Sequence, residues 1–84
     1  MNKHKGTILL VDDEVHVFDT FLERAEREGY LVLPFDDAHR AIEEISNGLQ
    51  YRLALLDLSI ADVSGIEVAR ASKRYNSDAI VVCI

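Results

Sequence analysis

Two apolar runs in this chain stop on acids. Ile8-Leu9-Leu10-Val11 ends in Asp12-Asp13-Glu14, and Leu53-Ala54-Leu55-Leu56 ends in Asp57. If the two runs are parallel neighbours in a sheet, their carboxyl ends meet at one edge. Asp12, Asp13 and Asp57 then share one small pocket. Like charges at that density repel one another unless a cation or a proton relieves them. Hard oxygen ligands of this kind suit Mg2+, which keeps several waters and binds through few carboxylates plus phosphate oxygens. With a cation held by the other two, Asp57 has the chemistry of a carboxylate nucleophile that accepts a phosphoryl group as an acyl phosphate. A plainer reading stands beside this one: Asp12-Asp13-Glu14 caps the following helix and lines its first turn, where the helix dipole favours acids. Asp57, a second acid at a second strand end, is what the plainer reading leaves unexplained.

Other chemistries fit less well. No GxxxxGK[ST] loop occurs, so P-loop phosphate binding is not expected. A dehalogenase-type phosphatase needs a second aspartate two residues beyond the nucleophile; Glu14 stands there after Asp12, and Ser59 after Asp57. A stand-alone metal-dependent phosphatase also lacks a general acid–base candidate near the acids. His4, His16 and His39 have no metal-ligand spacing and are expected to be solvated.

The elements that must position the acids alternate along the chain. Thr7 to Val11 is short, branched and preceded by Gly6, which favours a strand. Phe18, Phe21, Leu22 and Ala25 then fall on one face of a helix, with Gly29 as its C-cap candidate. Tyr30 to Leu33 is a second strand, with Pro34 at a strand end or an edge. Asp36 or Asp37 caps a helix bearing Ala38, Ala41, Ile42 and Ile45, which Asn47-Gly48 ends. Leu53 to Leu56, apolar on both faces, suits a central parallel strand. Ser59 to Ser64 reads as loop. Gly65 to Tyr75 is a third helix with Ile66, Val68 and Ala69 as its apolar positions. Ser72 stands where another apolar residue is expected, so this helix is expected to pack more weakly. After Asn76-Ser77-Asp78, Ala79 to Ile84 is a fourth strand. Strands alternating with helices imply an α/β fold with a parallel sheet covered on both faces, and a site beyond the carboxyl ends of the strands.

Bulk properties set the frame. With 84 residues, 49% hydrophobic and 29% charged, the chain has room for one globular domain with a thin core. A net charge of −6 argues against nucleic-acid or anionic-membrane binding by this chain. No stretch approaches the ~18 apolar residues of a membrane span. The basic start, Met1 to Lys5, is followed by too short an apolar run for a signal peptide. The single cysteine, Cys83, excludes an internal disulfide, fits a reducing compartment and reads as a small apolar strand residue. A cytoplasmic location is expected.

Taken together, these residues are specific. From about Thr7 to the chain end, the sequence resembles the receiver domain of bacterial two-component response regulators. The resemblance rests on Ile8-Leu9-Leu10-Val11-Asp12-Asp13-Glu14 as first strand and acidic pair, and on Gly29-Tyr30 followed by the Ala41-Ile42-Glu43-Glu44-Ile45 helix. It rests also on Leu55-Leu56-Asp57-Leu58 with Gly65 eight residues past Asp57. It implies a flavodoxin-like parallel sheet of order 2-1-3-4, in which strands one and three are neighbours about 4.8 Å apart. It implies that Asp57 is phosphorylated by a histidine kinase or phosphotransfer protein. Asp12, Asp13, Asp57 and the backbone carbonyl of Ser59 would bind Mg2+. The domain would be a phosphoacceptor and not an enzyme in its own right, beyond self-phosphorylation and autodephosphorylation. Phosphorylation would shift a two-state equilibrium and change a partner surface.

The sequence departs from the family pattern at Ala61, where a proline is usual, at Phe35, where a small residue is usual, and at Ala38, often glycine. Relative to the five-stranded family fold, residues 1–84 match the N-terminal part; the fifth strand, the last two helices, the switch hydroxyl and the phosphate-pairing lysine lie beyond the match. The alternative function is therefore a non-switching protein-interaction module of the same fold. An uncovered fourth strand is an apolar edge. The expectation is that the chain is a fragment of a longer receiver, or self-associates so that another chain covers that edge.

Overall fold

The computed structural model describes residues 5–14, 18–57 and 65–83. Four strands and three helices alternate: β1 (Gly6–Val11), α1 (Asp19–Arg27), β2 (Tyr30–Phe35), α2 (Ala38–Ser46), β3 (Leu53–Leu56), α3 (Gly65–Tyr75) and β4 (Ile80–Cys83). The strands form one sheet of order β2-β1-β3-β4, and every pairing is parallel. The architecture is the flavodoxin-like α/β arrangement expected from the sequence.

Side-chain alternation divides the core between the two faces of the sheet. Ile8 and Leu10 of β1 meet Val32 and Ala25, with Phe18 and Leu22 beside them, so α1 covers one face. Leu9 and Val11 point the other way and join Leu56, Ala41, Ile45 and Val68 under α2 and α3. Leu9, Leu10 and Val11 are fully buried, as the near-continuous apolar run of a central parallel strand requires.

Local signals end each element. After α1 and α2, Gly29 and Gly48 each take φ +101°, a backbone that glycine alone adopts at little cost. The Asp37 side chain caps α2 by accepting from the His39 N–H at 2.9 Å. Pro34, expected at a strand end or an edge, lies inside β2, which is an edge strand. The Phe35 carbonyl accepts from the Asp12 N–H at 3.0 Å, so the alternating groups of Pro34 face the open side, where no N–H is needed.

α3 differs from its sequence reading in phase. Its buried positions are Gly65, Val68, Ala71 and Ser72, while Ile66 is 54% exposed. The expected trio Ile66, Val68 and Ala69 cannot share one narrow arc, because residues two apart lie on different sides of a helix. β4 is the other edge of the sheet; Ile80 and Val82 are exposed, and so is Cys83. Among the described residues, no helix is long and apolar enough to cross a membrane.

Candidate functional site at the carboxyl edge of the sheet

The site follows from strand order and register. β1 and β3 are direct neighbours, with Val11 opposite Leu56, so the next residue on each strand is an aspartate. The ladder continues one step past both strands: the Asp57 N–H donates to the Val11 carbonyl at 3.0 Å, and the Asp12 N–H to that of Phe35 at 3.0 Å. Asp12 is thus held on both sides by backbone. Asp12, Asp13 and Asp57 converge, each offering a carboxylate oxygen, and these oxygens lie within 4.8 Å of one another.

The three acids are not equivalent. Asp12 is buried, Asp57 half-buried and Asp13 exposed. The Asp12 carboxylate accepts from the Glu14 N–H at 2.8 Å. Burial pushes its pKa above the ordinary aspartate value of 3.8; the Glu14 N–H opposes that rise, and the charge of Asp57 and contacts with Asp57 and Asp13 add to it. Ionising Asp12 therefore adds a buried charge beside that of Asp57. Three hard oxygen donors around one point, one of them held above its ordinary pKa by burial first and by its acidic neighbours second, are a donor set that fits a divalent cation such as Mg2+.

The plainer reading of Asp12-Asp13-Glu14 as a helix cap does not hold. α1 begins at Asp19 with Phe18 as its N-cap residue. The triplet instead forms its own local turn ahead of the helix, closed by the bond from Glu14 to Asp12. Phe35, at the end of β2, packs against the core beneath α2. Ser59, expected to contribute a carbonyl, lies outside the described residues, as do His4, His16, Ala61, Ile84 and the expected loop Ser59 to Ser64. His39 is exposed at the start of α2, as expected.

Comparison with known proteins agrees with this geometry. The family model for the response regulator receiver domain matches residues 8–84, and the chain belongs to that family. It is 36% identical over 77 residues to the transcriptional regulatory protein ResD of Bacillus subtilis, covering 89% of this chain and 31% of that protein. The chain spans about a third of the length of the curated relatives it matches. Among solved structures it is similar to the response regulator TrrA of Thermotoga maritima in complex with Mg(2+)-BeF. That likeness has TM-score 0.76 and 30% identity, covering 92% of this chain and 66% of that one. A response regulator receiver protein from Sinorhizobium medicae gives TM-score 0.80 at 27% identity, covering 92% of this chain and 63% of that one.

Proposed function

We propose that this receiver domain accepts a phosphoryl group on Asp57 from the phosphohistidine of a histidine kinase or phosphotransfer protein. The observation that carries the reading is the meeting of Asp12, Asp13 and Asp57 within 4.8 Å at the ends of two adjacent parallel strands. The Mg(2+)-BeF complex of the Thermotoga maritima relative supports it. Asp12, Asp13 and Asp57 are the side chains to hold Mg2+, with the Ser59 carbonyl as a further donor. A divalent cation bound there supplies positive charge to offset that of the incoming phosphoryl oxygens.

The roles of the residues differ with their exposure. Asp57, half-buried, is the nucleophile: a carboxylate oxygen forms the new O–P bond as the N–P bond of phosphohistidine breaks. The electron pair of that bond stays on the imidazole nitrogen, and the product is an acyl phosphate. Its N–H, bonded to Val11, fixes the strand end from which the carboxylate projects. Asp12, buried and backbone-held, is a rigid anionic ligand. Asp13, exposed, is the ligand open to solvent exchange. The domain is an acceptor whose own catalysis is limited to taking and losing this group.

Incubation with Mg2+ and a small acyl or amide phosphate donor, followed by intact-mass measurement, tests the reading. Wild type is expected to gain one phosphoryl group, and Asp57→Ala none. No gain on wild type favours the interaction module of the same fold, and sustained turnover of a phosphate ester favours a phosphatase.

A further inference from the structure

The face that α3 turns to the core is built mostly from small residues. Gly65, Val68, Ala71 and Ser72 are buried, and its one other large aliphatic side chain, Ile66, points outward. Ridges this shallow interlock poorly with their neighbours, so apolar packing defines the position of the helix along its axis only loosely. One directional contact supplies what the stripe lacks. The Tyr51 hydroxyl, just ahead of β3, donates to Ser72 Oγ at 2.6 Å, with both residues buried. One turn further on, Asn76 Nδ2 donates to the Tyr51 carbonyl at 2.9 Å. The carbonyl of Asn76 accepts from the Ala79 N–H at 3.1 Å, which carries the chain into β4. The C-terminal half of α3, through Ser72, and the residue just past its end, Asn76, are thus both tied to one residue at the entrance of β3.

We propose that Tyr51 and Ser72 are positioning residues whose hydrogen bond sets the axial register of α3, and with it the far anchor of the segment joining Asp57 to Gly65. A slide of one residue moves the helix about 1.5 Å, enough to break a bond of hydrogen-bond length. A slide of one full turn places Val68 or Asn76 at the position of Ser72 and leaves a buried phenol facing the wrong partner. Unpaired burial of that kind is costly, and among the described residues no buried side-chain polar atom lacks a partner. Burial also raises the Tyr51 pKa above its ordinary 10.0, against opposing contributions from Ser72 and Asn76, so the donor proton is kept at physiological pH. β3 begins beside this pin and ends at Leu56, immediately before Asp57, and α3 begins eight residues after Asp57. The functional consequence rests on Asp57 as phosphoacceptor; the register itself does not.

The discriminating variant is the pair Tyr51→Phe with Ser72→Ala. Removing one partner strands the other, whereas removing both leaves apolar surfaces of similar shape, so stability lost in either single variant largely returns. A contact that acts through stability alone is fully replaced in the pair, and a register pin is not. The readout is amide hydrogen exchange across residues 65–71 relative to residues 38–46 of the same molecule, a ratio that cancels any global change. The pair is expected to raise this ratio about three- to tenfold over wild type. Its rate of phosphoryl uptake on Asp57 is expected to fall by a similar factor. A ratio that stays at the wild-type value in the pair overturns the register role. Absence of uptake on wild type overturns the Asp57 assignment instead, and the exchange ratio still decides the register.

Discussion

The backbone N–H of Asp57 donates to the carbonyl of Val11, the residue immediately before Asp12, at 3.0 Å. That single ladder bond joins the ends of β1 and β3 and brings two stretches of acid, far apart in sequence, to one point. The order β2-β1-β3-β4 makes it possible, because it sets β3 beside β1 and not beside β2. Any substitution that shifts β3 by one residue would turn Asp57 to the other face of the sheet and disperse the cluster.

Asp12→Asn is expected to stabilise the protein in the absence of divalent cation. It removes the buried charge while keeping a side-chain oxygen to accept from the Glu14 N–H. Thermal unfolding in chelator at neutral pH should show a Tm higher by a few degrees than wild type. The same variant should lose most of the Tm increase that Mg2+ gives wild type.

The raised pKa of Asp12 fixes the sign of a pH dependence. Its folded value lies above the ordinary 3.8, so its contribution to stability is fully present below that value and is lost as pH rises through the folded one. Without metal, this group therefore costs stability as pH rises from 3.8 through its raised folded value. A cation that binds the ionised cluster offsets the loss, so the Mg2+-dependent increase in Tm should grow as pH rises from the ordinary aspartate value of 3.8 through the raised folded one. Calorimetric scans across that range, with and without Mg2+, check it. An increment independent of pH would contradict the assignment of the cation to these carboxylates.

Leu10 and Ile80 are both aliphatic strand residues with opposite surroundings. Leu10 is fully buried between β2 and β3 beneath α1, whereas Ile80 is 65% exposed on the edge strand. Leu10→Ala is expected to cost about 2–5 kcal/mol and Ile80→Ala to stay within about 0.5 kcal/mol. Chemical denaturation of the two variants measures the contrast directly.

The strand–helix alternation and the parallel sheet could be read from the sequence, because both depend on local periodicity; the acidic cluster also required the strand order, which the resemblance to the receiver family implied. Asp12 and Asp57 needed only the order of two neighbouring strands to be brought together. What escaped was information held between elements. Ser72 looked like a gap in an apolar stripe because its partner, Tyr51, lies 21 residues earlier on another element. Ile66 looked like a core residue because it is a large aliphatic side chain; the true face is set by α2, β3 and β4. Pro34 was read as a strand-end or edge residue, and the edge reading holds; that it faces away from β1 is set by the pairing of β2.

Asp57 alone among the clustered acids is expected to receive the phosphoryl group. Borohydride reduces an acyl phosphate to an alcohol and leaves free carboxylates intact. Wild-type protein treated with Mg2+ and a small phosphoryl donor, reduced with borohydride and sequenced by tandem mass spectrometry, locates the acceptor at single-residue resolution. Conversion is expected at position 57, dependent on Mg2+, with Asp12, Asp13 and Glu14 unchanged. Conversion at Asp12 or Asp13, or none at position 57 under conditions where the protein is folded and binds Mg2+, would contradict it.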